Sequence, residues 1–257
     1  MPTGDLIRNA MQGGAKQLGA WVNMESPIAT EIMAGAGFDF IMIDQEHGPG
    51  DALSAITQLQ AIRSGGTETA MMRVRDNDTQ FIKKALDTGI DGIMVPLVET
   101  AEAASQVVAA CRLPPLGVRG IAPGNVRAAR YGYEKDAFIR NRGEDVLVLS
   151  QVETEETVGN LSDIGGVEGI DVLFIGRNDL SSSIDRLHDQ TSAEARDLLD
   201  EAERRIRESG RLLGGIPAPF DSPTAMFERG YDMVLAVADH ALLRDAAVAA
   251  VASFRPA

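Results

Sequence analysis

Several short apolar runs in this chain end on residues able to do chemistry. FDFIMID (38–44) leads into Gln45-Glu46-His47, and TAMMRV (69–74) carries Arg73 near its end. DVLVLSQVE (145–153) closes on Gln151 and Glu153, and GIDVLFIG (169–176) opens onto Arg177-Asn178-Asp179. Glu153 and Asp179 would together make a pocket of negative charge. Such carboxylates can simply cap the helices that follow. As a functional pair they suit a hard divalent cation, because Mg2+ and Mn2+ are commonly held by one or two carboxylates, leaving positions for water and substrate oxygens. His47 is one of three histidines. His188 falls in a polar loop and His240 begins the last helix, whereas His47 follows a strand end beside Asp44 and Glu46, which suits general acid–base work. Arg73 closes an apolar strand and needs an anionic partner there. That partner is Asp44 or Glu153 on a structural reading, and a developing enolate oxygen on the catalytic reading carried forward.

The elements that must position these groups alternate along the chain. Strands are expected at 17–23, 38–44, 69–74, 91–97, 145–153, 169–176, 211–217 and 232–237. Helices are expected at 27–36, 51–63, 78–89, 100–111, 155–164, 193–209, 222–228 and 240–254, several stopped by glycine. About eight β/α units in one chain predict an α/β fold, a single (β/α)8 TIM barrel over 1–257. A doubly wound sheet would need a similar alternation, but four polar sets at strand C-terminal ends match the catalytic rim of a barrel. The stretch 112–142 is different, with Pro, Gly and Arg interleaved. A long irregular segment in a compact domain is usually functional or disordered, and this one has room for a short strand and helical turns.

Composition narrows the partners. The chain has 257 residues, a formal net charge of −14, 44% apolar and 5% aromatic residues. The core should therefore be Ala, Val, Ile, Leu and Met, as in buried parallel strands. The acidic balance, with no run of Lys and Arg, argues against nucleic acid. The lone cysteine excludes an intramolecular disulfide, and Cys111, after Val107-Val108-Ala109-Ala110, should be a buried, inert thiol. The N-terminus lacks a secretory apolar core and no run is long enough to span a bilayer, so a cytoplasmic protein without membrane contact is expected.

IDQEHGPGD (43–51), MRVRDND (72–78), LDTGIDGIMVPLVETAEAA (86–104), GVRGIA (117–122), SQVETEE (150–156) and FIGRNDLSSSI (174–184) resemble, in order and spacing, the HpcH/HpaI family of class II pyruvate-dependent aldolases, in particular its 4-hydroxy-2-oxoheptanedioate, 2-keto-3-deoxyrhamnonate and hydroxyketoacid aldolases. The resemblance runs from Leu18 to the last helix. It implies one divalent cation per subunit (Mg2+, Mn2+ or Co2+) on Glu153 and Asp179, with no organic cofactor. Gln151 would contact the bound oxo acid, and Gly176 with the amides that follow it, Asn178 included, would receive the substrate carboxylate. Arg73 would stabilise the enolate, His47 would be the acid–base residue, and Asp87 would pair with His47. Asp44 and Glu46 would orient ligands and metal waters. The substrates would be a pyruvate or hydroxypyruvate donor and an aldehyde. The final helix would be exchanged between subunits of a homohexamer, a trimer of dimers. Rival readings are an acyl-CoA lyase of the citrate lyase β type and a non-catalytic oxo-acid-binding protein. Two departures from the family pattern stand out: Arg177 replaces a proline, and Pro123-Gly124 lacks the usual small hydroxyl residue.

Overall fold

The computed structural model describes residues 3–218 and 220–255, so the expected 1–257 domain reaches past the described residues at both ends. Eight parallel strands close into a barrel in sequence order. They are β1 (Gln17–Val22), β2 (Phe40–Asp44), β3 (Thr69–Arg73), β4 (Gly92–Val95), β5 (Leu147–Val152), β6 (Val172–Ile175), β7 (Leu212–Gly215) and β8 (Met233–Ala238), with β8 pairing back onto β1. The helices are α1 (Gly4–Gln12), α2 (Pro27–Ala34), α3 (Ala52–Gly65), α4 (Thr79–Asp87), α5 (Ala101–Cys111), α6 (Lys135–Asn141), α7 (Glu155–Gly159), α8 (Leu161–Gly166), α9 (Arg177–Ser183), α10 (Ala193–Ser209), α11 (Pro223–Glu228) and α12 (Asp239–Phe254).

All eight expected strands are present. The helix expected at 155–164 is instead two short ones, α7 and α8, meeting at Asn160. The 112–142 stretch holds a 3-10 turn at Arg127–Gly132 and then α6, and no strand lies among its residues. Three of its arginines fasten it: Arg112 donates to Gly143 O, Arg119 to Asp87 and Arg127 to Thr88 O. Two helices were not anticipated, α1 and α9. Cys111 is fully buried, and burial pushes its thiol up to about 11, in keeping with an inert side chain.

Period-two alternation explains how the strands serve the site. One parity of each strand fills the barrel interior: Phe40 and Met42, Met71, Met94, Leu147 and Leu149, Val172 and Phe174, Met233 and Leu235. The other parity, such as Ile41, Ile43, Val148 and Leu173, packs against the helices. Continuing the inward parity to the C-terminal ends reaches Asp44 after Met42, Arg73 after Met71, Gln151 and Glu153 after Leu149, and Gly176 after Phe174. The apolar filling thus forms the floor on which the polar residues stand.

The opposite end is plugged by α1, whose Ile7 and Met11 join the interior cluster. The fit is close: a Cβ on Gly4 would lie 2.0 Å from Asp91 O. Asp91 itself is fully buried and accepts from Thr3 N (2.8 Å), Thr3 Oγ1 (3.0 Å), Arg63 Nη2 (2.6 Å) and Ala70 N (2.8 Å). One carboxylate therefore fastens the plug, α3 and β3. At the other extreme, α12 contributes only Asp239 to the buried set, while Leu243, Val248, Val251 and Phe254 stay exposed. Among the described residues no helix is long and apolar enough to cross a membrane.

Asp91→Ala should cost about 2–4 kcal/mol, because it strands several buried donors at once. In a chain of this size that lowers the melting midpoint by on the order of 5–15 °C. Calorimetry at neutral pH reads the shift, and an unchanged midpoint would contradict the fastening role.

Candidate active site

A cleft of about 330 Å³ opens at the C-terminal rim of the barrel, lined by Trp21, Asn23, Asp44, His47, Arg73, Gln151, Phe174, Gly176, Asn178, Asp179, Ile216, Ala238 and His240. A cleft of about 420 Å³ elsewhere is lined by Arg63, Gly89, Arg127, Ala128, Arg130, Tyr131 and Tyr133, with neither a carboxylate nor a histidine. Among the described residues the rim cleft gathers carboxylates, a histidine pair and a buried arginine together.

Arg73 is its centre. It is buried, and its guanidinium grips Asp44 through two hydrogen bonds, Nε to Oδ1 at 3.0 Å and Nη2 to Oδ2 at 2.7 Å. Its remaining nitrogen, Nη1, lies 2.9 Å from Glu46 Oε2, and the guanidinium carbon sits 4.5 Å from the Trp21 ring centroid. The structural reading of Arg73 as a partner of Asp44 is thus realised, yet the group still faces the cleft. Burial alone would raise the Asp44 carboxyl. The Arg73 hydrogen bonds and charge, with the N–H groups of His47 and Glu46, hold it below the ordinary carboxylate range. Asn23 Nδ2 donates to Asp44 Oδ2 at 2.5 Å, completing the clamp.

The other carboxylates are less well compensated. Burial raises Glu46; Arg73 opposes the shift, and Asp44, Asp179 and Asp76 add to it. Burial likewise pushes Glu153 up to about 7, against a hydrogen bond from Leu97 N and with the help of the Glu46 and Asp179 charges. Gln151 Nε2 donates to Glu153 Oε1 at 2.7 Å, while Gln151 Oε1 is buried with no partner among the described residues. Neither Glu153 nor Asp179 is a helix cap. Thr154 caps α7, and α9 begins at Gly176 with no side-chain cap, which leaves its first N–H groups free of side-chain acceptors. Gly176 is needed for closeness, since a Cβ there would meet Glu153 Cγ at 3.0 Å and Gln151 Nε2 at 3.3 Å.

His47 stands at the mouth, its side chain 66% exposed and Nε2 3.9 Å from Glu46 Oε2. Within one chain it does not meet Asp87. Asp87 ends α4, which runs back from the rim toward the plugged end, and its Oδ1 accepts from Arg119 Nη2 at 3.1 Å. The two residues implied to pair therefore stand at opposite ends of the same barrel. Pro123 and Gly124 are likewise absent from the cleft lining, while Arg177 lies just behind it. Sequence reasoning missed Trp21, Asn23 and His240. Trp21 and Asn23 follow Gly19 on the inward parity of β1, a signal visible in LGAWVN once the phase of that strand is known. His240 stands in the sequence only as the start of a helix.

Known proteins place the chain in context. A family model for HpcH/HpaI aldolase/citrate lyase matches residues 17–247. A hydroxypyruvate/pyruvate aldolase of Deinococcus radiodurans is 35% identical over 254 residues, covering 99% of this chain and 91% of that protein. A 4-hydroxy-2-oxo-heptane-1,7-dioate aldolase of Escherichia coli is 36% identical over 248 residues, covering 96% and 94%. The crystal structure of an HpcH/HpaI aldolase/citrate lyase family protein from Burkholderia cenocepacia superposes with a TM-score of 0.91 at 30% identity, covering 98% of this chain and 100% of that one.

The crowded carboxylates give a pH signature. Glu153 gains a proton-linked contribution to stability that is complete below its ordinary value of 4.5 and is lost as pH rises through about 7. In chelator-treated protein, Glu153→Gln should leave stability nearly unchanged near pH 4.5 and raise it at pH 8, by up to roughly 3 kcal/mol. Melting midpoints of both proteins across that range test this, and a pH-independent difference would contradict it.

Proposed function

The chain belongs to the HpcH/HpaI aldolase/citrate lyase family and is an aldolase, and we propose from that premise that it is a divalent-metal-dependent enzyme of one barrel per subunit. It joins pyruvate or hydroxypyruvate to an aldehyde and cleaves 4-hydroxy-2-oxo acids in reverse. The observation that carries the reading is the mutual charge repulsion among Glu46, Glu153 and Asp179, with burial first and that repulsion second pushing Glu153 up to about 7. A divalent cation on Glu153 and Asp179 would relieve that repulsion. The donor set is all hard oxygen, and Gln151 Oε1 is a further buried oxygen without a partner, which fits Mg2+, Mn2+ or Co2+ completed by substrate and water. When bound, the cation supplies Lewis acidity toward the oxygens of a 2-oxo acid, making its C3 proton easier to remove.

The remaining roles belong to the chain's own residues. The N–H groups that follow Gly176, including that of Asn178, receive the substrate carboxylate, and Gln151 contacts the oxo acid from the floor. Arg73, fixed by Asp44 before substrate arrives, faces the keto oxygen on which negative charge builds as C3 gives its proton to a water molecule in the cleft. Such preorganised charge is commonly worth about 10² or more in rate. Glu46 adds negative charge for the cation and a carboxylate near His47. His47, at the mouth, gives a proton to the new alkoxide, directly or through water, and takes it back in cleavage.

Asp87 requires a second subunit. We place it against His47 of a neighbouring chain in a homo-oligomer, where it orients the imidazole and raises its basicity. The uncovered apolar face of α12 supports such an assembly, with α12 exchanged between subunits in a homohexamer.

EDTA should abolish aldol cleavage, and Mn2+, Co2+ or Mg2+ should restore it; full activity without metal would sink the metal reading. Arg73→Ala should lower aldol cleavage, oxaloacetate decarboxylation and pyruvate methyl-proton exchange by on the order of 10²-fold. His47→Ala should slow cleavage comparably while keeping more decarboxylation, in which no aldehyde oxygen takes part. Equal loss of both reactions in His47→Ala would refute the assignment.

Co-refolding inactive His47→Ala and Asp87→Ala subunits should recover activity, because some mixed interfaces pair an intact His47 with an intact Asp87. Failure to recover it in mixed oligomers of confirmed composition, or a monomeric mass by light scattering, would overturn the shared site.

A further inference from the structure

Arg177, the residue standing where the family pattern has proline, is half-buried behind the cleft. Its Nε donates to Pro217 O at 2.6 Å, and its Nη1 donates to Gln190 Oε1. Gln190 Nε2 in turn donates to Asn178 Oδ1 at 3.0 Å. The order of these bonds is dictated by chemistry. A guanidinium carries donors only. Gln190 must turn its oxygen to Arg177, so its nitrogen faces Asn178, and Asn178 must answer with its own oxygen. A side-chain amide alone has no built-in sense of rotation; here one arginine sets it for two amides in succession. The NH2 group of Asn178 is left over, and Asn178 lines the cleft.

Depth in the cleft says which substrate this group meets. Asp44, Arg73 and Gln151 are buried and form the floor, while Asn178 is exposed at the mouth with His47. On the aldolase reading, on which this inference rests, the oxo acid occupies the floor and the aldehyde approaches from the mouth. We propose that the Arg177–Gln190–Asn178 relay presents an N–H donor to the acceptor substrate. It thereby selects aldehydes whose neighbouring carbon bears a hydrogen-bond-accepting oxygen over alkyl aldehydes of the same size. Arg177 and Gln190 are positioning residues: they act through Asn178 and touch no reacting atom.

The test compares methylglyoxal with 2-methylpropanal, which is close in shape but has a methyl group in place of the second carbonyl oxygen. Their intrinsic reactivities differ, so the quantity read is the change in their kcat/KM ratio between variants. Gln190→Ala frees the Asn178 amide and should lower the ratio by about 3- to 10-fold, the worth of one hydrogen bond. Arg177→Met removes the source of the polarity and should lower it in the same direction. Gln190→Glu is the decisive variant. A carboxylate at 190 accepts from both neighbours, so Asn178 must turn its nitrogen toward it and its oxygen toward the cleft. The ratio should then fall below that of Gln190→Ala, which loss of packing alone would not produce. Exchange of pyruvate methyl protons into deuterated water should stay unchanged in both Gln190 variants, showing a folded protein with an intact donor site. Unchanged exchange with an unmoved ratio, or a ratio raised by Gln190→Glu, would overturn the relay. A wild-type enzyme with no exchange would instead overturn the aldolase reading beneath it.

Discussion

A single guanidinium, that of Arg73, acts on Asp44, Glu46 and Glu153 at the C-terminal rim of this barrel, and it cannot satisfy them all. Arg73 resolves the imbalance by committing to Asp44, in a two-bond grip that holds that carboxyl low, and by lending one nitrogen to Glu46. What remains is the buried Glu153, repelled by Glu46 and by the exposed Asp179. Burying charge without a partner is costly, so the arrangement persists only if protons or a cation share the space. The same imbalance fixes the orientation of Arg73, because its preferred partner lies on the adjacent strand and its flat face rests on Trp21.

The barrel supplies rigidity to this cluster at little cost in shape. Asp44, Arg73, Gln151 and Gly176 are each the next inward position after an apolar one, so the packing that fills the interior also sets the height of the polar layer above it. Met42 beneath Asp44, Met71 beneath Arg73, Leu149 beneath Gln151 and Phe174 beneath Gly176 belong to the same interior cluster as the Ile7 and Met11 of the plug. Plug, filling and chemistry form three storeys of one column.

Much of this was legible in the sequence because buried parallel strands are apolar runs with polar ends. That is why all eight strands, and Glu153, Asp179, His47 and Arg73 at their ends, could be picked out by type and place. The misses have physical causes. α1 buries only Gly4, Ile7 and Met11, and its role is to close a cavity made by distant strands. α9 is seven residues with one buried apolar side chain, Leu180, too short for periodicity to speak. Asn160 divides 155–164 where the apolar pattern runs through unbroken. Trp21 and Asn23 were hidden because an isolated strand does not declare which parity faces inward. Asp87 was assigned by resemblance to a partner that its own chain keeps at the far end, a fact of topology that residue types cannot carry.

Asp239 holds one more relation. Its carboxylate accepts from Asn23 N at 3.0 Å, Met24 N at 3.1 Å and His240 N at 2.7 Å, pinning the start of α12 to the end of β1. Asn23 passes the connection to Asp44, and Asp44 to Arg73. The root of the helix proposed to bridge subunits is therefore three contacts from the guanidinium that lines the cleft. Thermodynamic linkage would make such a connection two-way: whatever free energy the proposed assembly spent on aligning Arg73, a bound oxo acid would return to assembly. In an assembly of the kind proposed, substrate occupancy and the cohesion of the oligomer would become two readings of one equilibrium, and dilution of the enzyme would be felt as a loss of affinity.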